Sequence, residues 1–127
     1  MRRDAFSQLL GMEVLEASEG RAVLRMAVRE DMVNGFGTLH GGALFSLADS
    51  AFAFATNGGG TLSVAIDMHL GIPAASYPGD VLVAVAVEQS QSNRLAFVDV
   101  TVRNQREQIV GHFRGTVYRT TRQHELA

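Results

Sequence analysis

The sequence predicts an α+β fold in which one long buried helix is wrapped by a curved antiparallel β-sheet, with a short helix near the N-terminal end. Three observations carry this. Residues 41–57 hold Ala43, Leu44, Phe45, Leu47, Ala48, Ala51, Phe52, Ala53, Phe54 and Ala55 with no proline; a helix apolar on nearly every side is buried on nearly every side. The stretches that follow have the two-residue period of strands. The turns joining the last three stretches are short, which makes those strands antiparallel neighbours.

The elements follow in order. Residues 4–10 read as a short helix, with Phe6, Leu9 and Leu10 on one side and Gly11 as its stop. Ala22, Leu24, Met26 and Val28 then alternate with Arg21, Val23, Arg25, Ala27 and Arg29, giving a strand with one apolar and one mostly basic face. The Ser18-Glu19-Gly20 turn makes residues 13–17 its hairpin partner. Residues 30–39, with Asp31, Asn34, Gly35 and Gly37, read as a loop. The long helix ends at Gly58-Gly59-Gly60, and with an ionisable group inside it is too short and too polar to span a membrane. In the next strand Leu62, Val64, Ile66, Met68 and Leu70 share one face. The run Val81-Leu82-Val83-Ala84-Val85-Ala86-Val87 suggests a central strand covered on both sides. Residues 95–103 and 109–120 complete an antiparallel meander. Gly111 and Gly115 share a face with Ile109, Phe113 and Val117, and their missing side chains let the helix approach the sheet closely. One sheet leaves the other side of the helix uncovered and gives the Val-rich strand no second layer, so the chain is expected to form a homo-oligomer.

Composition narrows the function. A chain of 127 residues forms a single domain, here expected over 1–127, and buries a core without disulfides or metal. A net charge of −2 does not mark a nucleic-acid binder, and no cysteine is present to serve as nucleophile or thiolate ligand. Lysine is also absent, which removes Schiff-base chemistry. Met1-Arg2-Arg3-Asp4-Ala5-Phe6 lacks the apolar core of a signal peptide, so a cytoplasmic protein is expected. His40, His69, His112 and His124 have no ligand spacing, and neither metal nor cofactor is expected.

Asp49 is the foremost candidate for chemistry. It lies between Leu47-Ala48 and Ala51-Phe52-Ala53 in the most apolar helix. A carboxylate there is hydrogen-bonded, protonated or lining a cleft; the alternative is a structural Asp satisfied by Ser46 or Ser50. The glycines of Asn34-Gly35-Phe36-Gly37-Thr38-Leu39-His40-Gly41-Gly42 run into the helix start, where bare N–H groups and the helix dipole bind an anion or a developing oxyanion. Glycines also occur at helix starts for turn reasons alone. The run lacks the ending of a phosphate loop and the preceding strand of a dinucleotide fingerprint. Ser50 fits no nucleophile elbow.

Asn34-x-x-Gly37-x-x-His40-Gly41-Gly42, followed by Phe45 and Leu47-Ala48-Asp49, resembles the helix-entry signature of hotdog-fold acyl-CoA thioesterases, most closely the phenylacetate-degradation (PaaI-type) branch. The helix-then-strands order extends the resemblance over residues 5–120. It implies that the Gly41 N–H polarises the thioester carbonyl and that Asp49 acts as general base or nucleophile. It also implies that Asn34 and His40 position the reacting groups, and that Ser50 and Ser63 help to place water or acid. Gly42 is implied in substrate binding. Phe36, Leu39, Phe45 and Phe52 line an acyl pocket or simply pack the core, and Arg94, in the Ser92-Asn93-Arg94 turn, meets a CoA phosphate or is a solvated turn residue. The implied substrate is phenylacetyl-CoA or a ring-hydroxylated form, with a medium-chain fatty acyl-CoA as alternative. A hotdog hydratase and a non-catalytic acyl-CoA-binding protein are the rival readings; the position of Asp49 argues against the first, and the second does not need that acid.

Gly41 and Asp49 are eight residues apart, a rise of roughly 12 Å along one helix. One helix cannot bring both to the same carbonyl carbon, whereas two antiparallel helices related by a twofold axis can. The sequence thus predicts that Gly41 of one subunit and Asp49 of its neighbour share a thioester, and the resemblance implies a dimer of dimers.

Overall fold

The computed structural model describes residues 4–57 and 61–123. Residues 1–3, the Gly58-Gly59-Gly60 stop and His124 lie outside the described residues. Helix α1 (Ala5–Leu9) leads into a hairpin of β1 (Glu13–Ser18) and β2 (Arg21–Ala27), a single 3-10 turn (Glu30–Met32) and the long helix α2 (Gly41–Thr56). Strands β3 (Thr61–Gly71), β4 (Val81–Gln91), β5 (Leu95–Arg103) and β6 (Ile109–Gln123) follow. They form one six-stranded antiparallel sheet in the order β1-β2-β4-β5-β6-β3, with α2 packed on one face.

The core lies between α2 and that face. Leu44, Leu47, Ala48, Ala51, Phe52 and Ala55 of α2 are buried against Ala22, Leu24 and Met26 of β2, Leu82, Ala84 and Ala86 of β4, and Val98, Val100 and Val102 of β5. The alternation expected in β2 is observed, and the helix ends at Asn57, whose N–H bonds Ala53 O. The expected close approach at β6 is also present. A Cβ placed on Gly115 would lie 2.6 Å from Phe52 Cζ; at Gly111 the tight neighbour is Val102 of β5 at 3.3 Å, and the helix, through Leu44 Cδ2 at 3.6 Å, is at ordinary contact distance.

Three expectations are corrected. The strands do not run as a simple meander: β3 crosses to the far edge and pairs with β6, because Pro73 and Pro78 lie in a long connection that carries the chain back to β4. The apolar set of β3 does not share one face. Ala65 faces Val117 and Asp67 faces Thr116, so Ile66 is an extra residue. This bulge reverses the alternation, placing Val64 opposite Tyr118 but Met68 opposite Gly115. Finally, β4 is covered on one side only: Leu82, Ala84 and Ala86 are buried, while Val81, Val83, Val85 and Val87 are half-buried on the outer face.

The short helix also differs from its apolar pattern. Phe6 and Leu9 point outward, and the residue that α1 buries is Ser7, 1% exposed.

Candidate active site

The loop before α2 is built by its polar side chains. Asn34 Oδ1 accepts from Phe36 N at 2.9 Å and Thr38 N at 3.3 Å, and its Nδ2 donates to Thr38 Oγ1 at 3.0 Å. Gly37 sits at φ +81°, a conformation that favours glycine. The loop closes with Asn34 N donating to Thr38 O and His40 N donating to Met32 O, which delivers the chain to the helix start.

His40 is the N-cap of α2, and its Nδ1 accepts from Gly42 N at 2.9 Å. In the neutral ring that fixes the proton on Nε2, which remains a donor. Ala43 N and Leu44 N both donate to His40 O. Among the first N–H groups of the helix, that of Gly41 alone has no acceptor among the described residues. The N–H of Gly42, a residue that the resemblance implies in substrate binding, is taken by the histidine cap, and the neighbouring amide is free among the described residues. Gly41 opens onto a cleft lined by Asn34, Thr38, Leu39, Leu44, Ile72 and Ser76. Sequence reasoning missed Ser76. Its hydroxyl is buried without a hydrogen-bond partner among the described residues, and only the fold reveals that.

Asp49 occupies the middle of α2, outside that cleft. Its carboxylate has no hydrogen bond to the described residues. The serines proposed as its structural partners are engaged elsewhere: Ser46 Oγ donates to Gly42 O at 2.7 Å, and Ser50 Oγ lies 3.0 Å from Ser7 Oγ. Desolvation, with a smaller contribution from the charge of Asp4, holds the Asp49 carboxyl above the usual carboxylate range. A half-buried carboxylate without donors is poised to take a proton.

The remaining candidates separate into groups. Leu39 is buried and lines the cleft, while Phe36 projects from the loop tip at 91% exposure. Phe45 packs edge-on to Phe113 at 5.7 Å between ring centroids, and Phe52 is a core residue against the same ring. Ser63 lies at the far end of α2, its N donating to Asn57 Oδ1 at 2.9 Å and its Oγ to Thr56 O at 3.3 Å. Arg94 is exposed in the β4–β5 turn. Within one chain the structure brings Asn34, His40, Gly41 and Leu39 together; it does not bring Asp49, Ser50, Ser63 or Arg94 to them. Among the described residues there is no cluster of acids and histidines suited to a metal, and no helix long and apolar enough to cross a membrane.

Residues 36–110, which include His40, Gly41 and Asp49, match the family model described as thioesterase superfamily. The chain belongs to the thioesterase superfamily. Acyl-coenzyme A thioesterase PaaI of Escherichia coli is 38% identical to this thioesterase over 116 residues, covering 91% of this chain and 83% of the relative. Human acyl-coenzyme A thioesterase 13 is 31% identical over 102 residues, covering 78% and 73%. The solved structure of the E. coli PaaI protein matches with a TM-score of 0.93 at 36% identity, covering 96% of this chain and 88% of that one. An Asn-to-Asp variant of the phenylacetic acid degradation protein PaaI from Thermus thermophilus matches with a TM-score of 0.88 at 39% identity, covering 92% and 100%. The expected hotdog fold and the expected enzyme class, a thioesterase, both hold.

Proposed function

We propose that this thioesterase hydrolyses an arylacetyl-CoA, phenylacetyl-CoA or a ring-hydroxylated form, to the free acid and CoA, at a site shared by two subunits. One observation carries the proposal: a single helix presents an N–H at Gly41 and a carboxylate at Asp49 that have no hydrogen-bond partner among the described residues, the carboxyl held above its usual range, and the two are too far apart to serve one carbonyl within a chain. Asp49 takes a proton from water as the water oxygen adds to the thioester carbon. The carbonyl electron pair moves onto its oxygen, opposite the Gly41 N–H of the other subunit. Return of that pair breaks the C–S bond, and CoA departs as the thiol with the proton from Asp49. His40 Nε2–H supplies a second donor. The chemistry needs only water, so no cofactor beyond the CoA of the substrate is required.

The two sheet edges support the assembly. Strand β1 is exposed and guarded by charge, with Glu13 paired to Arg25 at 2.8 Å and Glu16 to Arg21 at 2.8 Å. Strand β3 offers an unpaired edge with Val64, Ile66 and Met68 exposed. Asp67, 3.4 Å from His69, is an acidic group on this edge, but the exposed apolar side chains around it make the edge a template for another strand, so a second copy pairs at β3 and runs its α2 antiparallel to the first. The half-buried valines of β4 provide the surface on which two dimers form a tetramer. The relatives support the substrate class: the E. coli protein is an acyl-coenzyme A thioesterase, and the Thermus protein belongs to phenylacetic acid degradation.

The test is thiol release from phenylacetyl-, hydroxyphenylacetyl- and hexanoyl-CoA by the native chain and Asp49→Asn. Loss of the general base is expected to lower kcat by about 10²–10⁴-fold while acyl-CoA binding persists. Because the Asp49 carboxyl sits above the usual range, native activity falls as pH drops through that raised value. Preference for hexanoyl-CoA would reassign the substrate to medium-chain acyl groups. Binding without thiol release would replace the enzyme with a binding protein.

A further inference from the structure

Helix α1 contributes one buried residue, and it is polar. Ser7 is 1% exposed. Its Oγ lies 2.6 Å from Asp4 Oδ2, its N donates to Asp4 Oδ1 at 3.1 Å, and its Oγ lies 3.0 Å from Ser50 Oγ, next in sequence to Asp49. Proton bookkeeping gives this chain a direction. The Ser7 hydrogen bonds keep the Asp4 carboxyl below the usual range, so it is ionised and only accepts. The Ser7 hydroxyl proton is therefore committed to Asp4. In the 3.0 Å contact between the serines, Ser50 must then donate and Ser7 accept. The Ser50 hydroxyl proton is committed in turn, and Ser50 Oγ faces its surroundings with lone pairs alone.

A water attacking a carbonyl carbon has two protons to place. One goes to the base; the other needs an acceptor that fixes the direction of the attacking lone pair. Asp49 supplies the first acceptor, and an acceptor-only Ser50 beside it supplies the second. We propose that Asp4 and Ser7 are positioning residues of the hydrolytic site, which through the directed chain Ser50→Ser7→Asp4 hold the Ser50 hydroxyl as an obligatory acceptor for the attacking water. The inference rests on Asp49 being the base. It explains why α1 docks through a buried serine while Phe6 and Leu9 remain outside. It also places a second negative charge near Asp49, which adds to the effect of desolvation on that carboxyl.

The test compares the oligomeric native chain with Asp4→Asn, Ser7→Ala, Ser50→Ala and the Ser7→Ala/Ser50→Ala double variant, all assayed with phenylacetyl-CoA beside Asp49→Asn. Asn caps a helix as well as Asp, but its amide donates to Ser7 Oγ and frees the chain to reverse. Asp4→Asn is therefore expected to keep its melting temperature and KM while kcat falls roughly tenfold. Ser7→Ala is expected to lower kcat similarly in the native background and to have no further effect on kcat once Ser50 is alanine. Asp4→Asn and Ser7→Ala chains that keep native kcat, or a Ser7→Ala loss that persists undiminished without the Ser50 hydroxyl, would overturn the relay while leaving the thioesterase reading intact. A native chain that releases no thiol, or an Asp49→Asn variant as active as native, overturns both.

Discussion

Gly115→Ala tests the packing that places α2. The new Cβ would lie 2.6, 2.7 and 2.9 Å from Phe52 Cζ, Cε1 and Cε2. Ordinary carbon contacts are about 3.5–4.0 Å, so the ring tip must retreat by roughly 1 Å. It has little room to do so. Phe52 is 1% exposed, and its ring centroid is 5.4 Å from that of Phe113. Overpacking of this kind costs about 1–3 kcal/mol, and for a domain of this size each kcal/mol lowers the melting temperature by roughly 3–5 °C. Thermal denaturation followed by circular dichroism is expected to show a fall of roughly 3–15 °C. A smaller loss is expected in a Phe52→Leu background, where the ring tip is gone. In a strand free of steric conflict, Gly→Ala would stabilise by about 0.4–1 kcal/mol. An unchanged or higher melting temperature would therefore refute the close approach, and with it the placement of the helix that carries both Gly41 and Asp49.

Asp80 ties the β3–β4 connection to the β5–β6 turn, accepting from Tyr77 N and from Gln105 Nε2 at 2.9 Å each. Asp80→Ala is expected to cost about 1–3 kcal/mol in urea denaturation. The Gln105 hydrogen bond holds the Asp80 carboxyl below its ordinary value of 3.8, so its contribution is full above that value and is lost as pH falls through the lowered one. The native chain should thus lose its margin over Asp80→Ala only in strong acid. Ile66, 59% exposed at the β3 bulge, lies on the edge assigned to the second subunit. Ile66→Arg puts a charge there, and light scattering is expected to show monomers with thiol release reduced at least about tenfold; an active monomer would contradict the shared site.

Local pattern made part of this molecule legible and left the rest hidden. The extent of α2, the alternation of β2 and the glycine under Phe52, Gly115, follow from periodicity and side-chain size, which act over a few residues. The seat of β3 beside β6 depends on pairing between residues far apart in sequence, and the Ile66 bulge adds a residue that no hydropathy pattern announces. The same limit applied to the site. The apolar setting of Asp49 and the glycine-rich helix entry stood out. That His40 takes the Gly42 N–H and leaves the Gly41 N–H free required the loop geometry set by Asn34. Ser7 was hidden because a short helix with Phe6 and Leu9 reads as apolar, although it docks through a serine.

Subunit complementation tests the shared site most directly. Gly41→Pro removes the free N–H without disturbing the helix: proline suits the first helical position, His40 already has the extended ψ of 134° that a following proline demands, and a Cβ at residue 41 meets only Ile72 Cδ1 at 3.6 Å. Gly41→Pro and Asp49→Asn chains are each expected to be folded and inactive. Unfolded and refolded together in equal amounts, they form mixed dimers in which one site combines an intact Gly41 with an intact Asp49. Random pairing makes about half the dimers mixed, each with one working site of two, so thiol release should recover to about one-quarter of native. No recovery in a mixture shown to contain mixed dimers would contradict a site built from two subunits.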